Sequence, residues 1–298
     1  MSLDMKDVCG PMTTPTPEQA SATEAAIAPA AALGRDASAA DADAASLSLD
    51  GGPRAESLLQ KWSADRRGFI KQLTYLAGAT KNVDLGTMVI VLPWHDPIAI
   101  AEGYVALDHM LNGRNLKIGM GRGLGVREYN GHRVPMEESR ERFSESLHVL
   151  RESLSQEWFE FKGEYHNIPR TSLRPRPRPG NTLLDNLYIA WGSPSSMPVA
   201  ANEGCKPLFI PQRLWEEHVC ELGEYNRIRT EHGWQPERPT VVCWVYCGED
   251  GAQTEAEARQ FLPEYGDSAQ RHYQFLGEHL QGLKGYEYYA QMAKLGLA

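Results

Sequence analysis

The glycine-rich loop GMGRGLG at Gly119–Gly125 carries one arginine and is the clearest chemical feature of the sequence. It follows a short apolar run, so its glycines let backbone amides approach an anion, and Arg122 can grip phosphate oxygens bidentately. The same residues also describe a tight turn with a solvated arginine. Gly121 and Gly123 flank Arg122 in either case. A second candidate is GSPSS at Gly192–Ser196, between an apolar run and a helix expected to start near Pro194. There Ser193 is placed as an N-cap and Ser196 lies in the first turn, where amides and hydroxyls suit an anion. Simple capping is the rival explanation. His95 follows LPW in a loop, where an imidazole can act as general acid or base near neutral pH, or only pack. No histidine or cysteine spacing suggests a metal.

The elements that would position these groups follow from periodicity. Phe69, Leu73 and Leu76 recur at helical spacing within 65–81. DLGTMVIVLP (Asp84–Pro93) reads as a buried parallel strand, and Asp96-Pro97 as the cap and first residue of a helix over Pro97–Leu111. His109 sits late in that helix, where C-terminal capping is its simplest role. LKIGMGRG (Leu116–Gly123) is a second strand. Pro135 opens a third helix with Phe143, Leu147, Leu150 and Leu154 on one face. An extended loop with Arg174, Arg176 and Arg178 between prolines reads as solvated, or as a rim that attracts an anionic nucleotide. LYIAW, KPLFIP and TVVCWVYC (Thr240–Cys247) are further strands, separated by helices. About five strands alternate with helices, the pattern of a parallel sheet. A closed (β/α)8 barrel and an open doubly wound sheet both satisfy it.

Composition narrows the function classes. Hydrophobic residues make up 42% and charged residues 23%, with a net charge of −9, which argues against a nucleic-acid or acidic-membrane partner. No stretch approaches the roughly 18–20 apolar residues of a membrane span, and MSLDMKDVCG has no basic region followed by an apolar core, so no secretory signal is expected. The five cysteines, Cys9, Cys205, Cys220, Cys243 and Cys247, read as reduced cytosolic thiols, so the expected location is cytoplasmic. Residues 1–61 contain no aromatic residue, and between Ala20 and Ala45 more than half the residues are alanine. That segment is expected to be low-complexity and disordered, with at most a weak helix at Ala20–Leu33. Residues 62–298 are expected to form the folded domain.

Four stretches in order, GTMVIVLPWHDPIAIAEGYVALDHMLNGR, LKIGMGRG, VPMEESRERF and IAWGSPSSMPVAANEG, carry a resemblance to the luciferase-like flavin-dependent monooxygenase family of bacterial luciferase type. LKGYEYYAQMA also resembles an insertion segment of some members. The similarity covers roughly residues 66–298. It implies a (β/α)8 TIM-barrel-like α/β fold with FMN, or a deazaflavin in some branches, at the C-terminal ends of the strands. Arg122 matches the flavin-phosphate position, and Ser193 and Ser196 match the strand-to-helix junction that shares it. Val91 and Leu92 would lie under the flavin ring. Reduced FMN would come from a separate NAD(P)H-flavin reductase, react with O2 and oxygenate a small-molecule substrate, in a homo-oligomer. A non-catalytic flavin-binding partner subunit and a deazaflavin-dependent hydride-transfer enzyme are the alternatives. The family's first two strands and last strand–helix unit have no clear counterpart, so the barrel is expected to be incomplete at both ends. Partner chains would then cover its edges, or the product is truncated or frame-altered.

Overall fold

The apolar runs become neighbouring strands of one parallel sheet. The structure, a computed structural model, describes residues 68–180, 183–211, 214–243, 245–274 and 277–294. The expected disorder of residues 1–61, and the weak helix within them, lie outside the described residues. Helix α1 (Gly68–Ala79) leads to β1 (Leu85–Val91), and α2 (Pro97–Leu111) crosses to β2 (Leu116–Gly121). Then come α3 (Val126–His132), α4 (Ser139–Ser155), and an antiparallel hairpin of β3 (Phe159–Lys162) and β4 (Asn167–Thr171). The sheet resumes with β5 (Leu187–Ala190), α5 (Met197–Asn202), β6 (Lys206–Phe209), α6 (Trp215–Glu231) and β7 (Thr240–Val241). Helices α7 (Gly251–Tyr273) and α8 (Glu287–Lys294) follow.

The sheet order is β1-β2-β5-β6-β7, all parallel. The fold is α/β, and the sheet curls as half of a TIM-type barrel, with five of the eight strands a closed barrel needs. Among the described residues, β1 and β7 each pair on one side only. Residues Ile118, Gly119, Met120 and Gly121 of β2 are buried in succession, as expected of a strand covered on both faces. Helix α2 packs against both α1 and α4. Asp96 caps α2, its carboxylate accepting from the amides of Ile98 (2.8 Å) and Ala99 (3.1 Å).

One glycine of the arginine loop has a structural duty. A Cβ on Gly119 would lie 2.1 Å from the carbonyl oxygen of Thr87 on the adjacent strand. The Thr87 hydroxyl meets the Gly119 carbonyl oxygen (3.0 Å) and the hydroxyl of the buried Tyr104 (2.9 Å), locking the two strands together. Gly119→Ala must therefore part β1 from β2 and is expected to cost about 3 kcal/mol, read as a lower denaturant midpoint. A variant as stable as the parent would show that the strands separate freely.

Three expectations about the elements change. Helix α3 went unread because Tyr129 is its one buried residue, which leaves no apolar stripe. Phe159 and Phe161 lie on β3 of a hairpin, in a stretch to which the sequence reading gave no element. Strand β7 spans two residues of the expected eight, because its partner β6 ends at Phe209 and Pro211 offers no amide to continue the ladder.

The arginine–proline loop is pinned, contrary to the solvated reading. Arg178 forms a bidentate pair with the buried Asp108 (2.8 and 2.7 Å), and Arg176 donates to the Ser153 carbonyl oxygen (3.0 Å). Arg174 pairs with Glu157 (2.6 Å). His109 Nε2 lies 2.9 Å from the Arg176 carbonyl oxygen, so it ties down this loop and does not cap its own helix.

Candidate functional site

Adjacent strands bring two of the sequence candidates to the C-terminal end of the sheet. Met120 of β2 is paired with Ile189 of β5, so Arg122, two residues on, is level with Trp191. Ser193 follows three residues beyond the end of β5 at Ala190. The β1 end supplies Val91, then the turn Leu92–Trp94 and His95.

Arg122 does not hang in solvent. Its Nη2 donates to the Gly285 carbonyl oxygen (2.6 Å), and its guanidinium lies over the Tyr286 ring, 4.2 Å from the centroid. Its own carbonyl accepts the Tyr129 hydroxyl. Nη1 is buried with no hydrogen-bond acceptor among the described residues. A second arginine shares the spot. A Cβ on Gly285 would lie 2.2 Å from Arg122 Nη1 and 2.6 Å from Arg140 Nη2, so both guanidiniums converge on this glycine. Arg140 Nε is also buried without an acceptor. Burial first, and then the Arg122 charge, push the Arg140 guanidinium below its ordinary value. Glu287 is the nearby counter-charge. Burial would raise its carboxyl, but the Gly285 amide it accepts (2.9 Å) and the charges of Arg140 and Arg122 hold it below the usual range. Two half-buried like charges, each with a buried donor unmet, are the chemistry of an anion site, because an anion supplies both the acceptors and the missing charge.

The remaining candidates fall around this pair. Gly121 packs on Val89, where a Cβ would lie 2.7 Å from Cγ2. Gly123 has φ +86° and lies against Val91 and Trp94, so it makes the turn that aims the loop. Ser193 is buried, and its hydroxyl meets those of Ser196 (3.0 Å) and Ser195 (3.3 Å). It does not cap with its side chain as expected. The residues Pro194–Ser196 form a 3-10 turn, and α5 begins only at Met197. Val91 is half-buried at the strand end, whereas Leu92 is packed in the main core and is corrected as a ring contact. His95 is half-buried with its ring edge-on to His132 at 5.7 Å, and Trp94 stacks on His132 at 4.7 Å. Among the described residues no group of histidine, cysteine and carboxylate side chains comes together to hold a metal. No helix there is long and apolar enough to cross a membrane.

Residues 12–295 match the family model described as luciferase-like monooxygenase. The chain belongs to that family. The oxygenase component of the flavin-dependent trigonelline monooxygenase of Acinetobacter baylyi is 29% identical over 196 residues, 64% of this chain and 53% of that protein. The alkanal monooxygenase alpha chain of Aliivibrio fischeri is 27% identical over 198 residues, 65% of this chain and 54% of that one. The chain thus spans about half the length of these curated relatives. Among solved structures, monooxygenase RslO1 from Streptomyces bottropensis aligns with a TM-score of 0.55 at 27% identity, over 68% of this chain and 61% of its own. The oxygenating constituent of 3,6-diketocamphane monooxygenase from Pseudomonas putida, in complex with FMN, aligns at 0.55 over 65% of this chain and 57% of its own. At 20% identity that match shows the barrel-type fold alone.

Sequence reasoning on this family missed Arg140, although it lies within VPMEESRERF, and missed Gly285 and Tyr286 within LKGYEYYAQMA. One local signal could have found Arg140. It is the second residue of α4, where the helix dipole disfavours a cation unless an anion shares the end.

Proposed function

We propose that this chain is the oxygenase of a two-component flavin-dependent system, taking reduced FMN from a separate NAD(P)H-flavin reductase and using O2 to oxygenate a small organic molecule. The observation that carries this reading is the Arg122–Arg140 pair, whose buried Nη1 and Nε lack acceptors at the strand ends. That donor set fits a phosphate. The name of the trigonelline monooxygenase relative, an oxygenase component, supports a separate reductase.

Reduced FMN, when bound, supplies the activation of O2. The chain's own residues bind, orient and shield. Arg122 and Arg140 would hold the phosphate with the Ser193 and Ser196 hydroxyls, and Gly121 and Gly123 shape the loop. Val91 would contact the ring, and Trp94 and Tyr129 would exclude water beside it. His95, just beyond β1, would move a proton. We assign these roles to one folded domain, residues 62–298, acting as a homo-oligomer. The one-sided pairing of β1 and β7 among the described residues also favours a second reading, a flavin-binding subunit without catalysis whose edges a partner covers.

Titrating the full chain with FMN and with a deazaflavin separates these readings. Tight FMN binding with O2 uptake by the reduced complex, coupled to oxygenation in a substrate screen, is the expected result. FMN binding with only the O2 uptake of free reduced flavin selects the non-catalytic subunit. Deazaflavin turnover without O2 selects hydride transfer, and binding of neither cofactor overturns all three.

A further inference from the structure

The phosphate reading uses Arg122 and Arg140, yet neither is held in place by its own element alone. The segment after α7 reaches back across the ends of β1 and β2. Its Leu280 and Tyr286 are buried with Tyr129 and Met136 in a small core of their own, against which Trp94 and Leu283 pack. Three consecutive residues of this segment meet three consecutive residues of α4. Lys284 Nζ pairs with Glu141 (2.7 Å), Gly285 abuts Arg140, and the Tyr286 hydroxyl lies 3.1 Å from Ser139 Oγ. The same Tyr286 hydroxyl donates to the carbonyl oxygen of Gly123 (2.9 Å), in the loop that carries Arg122.

From this geometry we infer that Tyr286 is a positioning residue for the anion site, fixing the two arginines relative to one another. Its hydroxyl touches both supports, the Arg122 loop through Gly123 and the α4 start through Ser139. Its ring lies beneath the Arg122 guanidinium, while the neighbouring Gly285 carbonyl engages Nη2. With one face and one nitrogen taken, Nη1 is the arm left for an anion. Gly285 has φ +86° and stands where any side chain would strike both guanidiniums, so the close approach needs glycine. Arg122 and Tyr286 lie far apart in sequence, so this support comes from the fold and not from the loop. Mutual fixing matters because two arginines left mobile would move apart under their own repulsion and lose the shared focus.

The inference rests on the phosphate reading, so its test measures the phosphate share of binding by itself. FMN and riboflavin differ only by the phosphate, and the ratio of their dissociation constants isolates it. The parent is expected to bind FMN roughly 100-fold or more tightly than riboflavin. Tyr286→Phe, which keeps the ring and removes the hydroxyl, is expected to lower that ratio about tenfold with riboflavin affinity unchanged. Tyr286→Leu should lower it further, and Lys284→Ala, at the exposed tie, should leave it alone. In an Arg122→Ala background, Tyr286→Phe should have little further effect, because a positioning residue acts through the group it positions. Inorganic phosphate competing with FMN should lose affinity in the same order. A folded Tyr286→Phe that retains the parental ratio would overturn the inference, as would loss of riboflavin and FMN affinity in equal measure. A parent that does not distinguish FMN from riboflavin would instead remove the phosphate reading, and this inference with it.

Discussion

Arg122→Ala is expected to weaken FMN binding by roughly 100-fold while riboflavin binding stays within about threefold of the parent, because one to two charge-assisted hydrogen bonds are lost. The effect should be nearly confined to binding. Arg122 faces a second, half-buried guanidinium and keeps one nitrogen without an acceptor, so its removal relieves repulsion even as it gives up the Gly285 carbonyl and the Tyr286 ring. The melting temperature of the apo protein should therefore hold or rise slightly, a combination that marks a residue kept for function at some expense of stability. The hydrogen bond from Tyr129 ends on the Arg122 backbone and survives the change. Arg122→Lys keeps the charge but not the planar fork and is expected to fall between, about tenfold weaker than the parent. Fluorescence quenching of the two flavins, with thermal melts of the apo forms, checks all of this. An alanine variant that binds FMN as the parent does would remove Arg122 from the site, and one that melts far lower would make it a structural residue.

What the sequence disclosed and what it hid divide by range. Helix α2 ends where its local signals say, at the Asp96-Pro97 cap and at the left-handed Asn112 (φ 49°) followed by Gly113 (φ 100°). The Arg122 loop was legible for the same reason, since glycines around one arginine after an apolar run are adjacent letters. Arg140 and Tyr286 were not, because their meaning lies in contacts with residues far away in the chain. Nothing in LKGYEYYAQMA indicates that its first tyrosine lies under an arginine of β2's loop. Val91 and Leu92 show a shorter-range limit. Treating both as ring contacts ignored the alternation of side chains at a strand end, and Leu92 turned into the core. The arginine–proline loop failed in the opposite direction. Its composition is that of a solvated strand, and only the burial of Asp108 on α2 reveals that Arg178 is bound.

That bond carries the other large expected effect. Arg178→Ala is expected to destabilise the fold by about 1–3 kcal/mol, less than the roughly 3–5 kcal/mol found when one member of a fully buried ion pair is removed, because water reaches the Arg178 side. The asymmetry of the pair sets the size. The Arg178 side chain is 31% exposed and can turn to water, whereas the Asp108 side chain is 7% exposed and stays inside when its counter-charge leaves. Asp108 also lies near the C-terminal end of α2, where the helix dipole already disfavours a carboxylate. Asp108→Asn should cost less than Arg178→Ala for these reasons, since it removes the charge that the interior resists. Changing both residues, to Leu at 108 and Met at 178, should recover most of the loss, because a packed apolar pair needs no compensation. The loop that Arg178 anchors leads into β5 and so to Ser193, which couples this site to the anion site through the backbone. Partial unfolding of Arg178→Ala should thus be accompanied by weaker FMN binding, and the double variant should restore both together. Denaturant titrations of the four proteins beside their FMN affinities decide the matter: a single variant as stable as the parent, or a double variant no better than the single, would mean that the pair is not what holds the loop to α2.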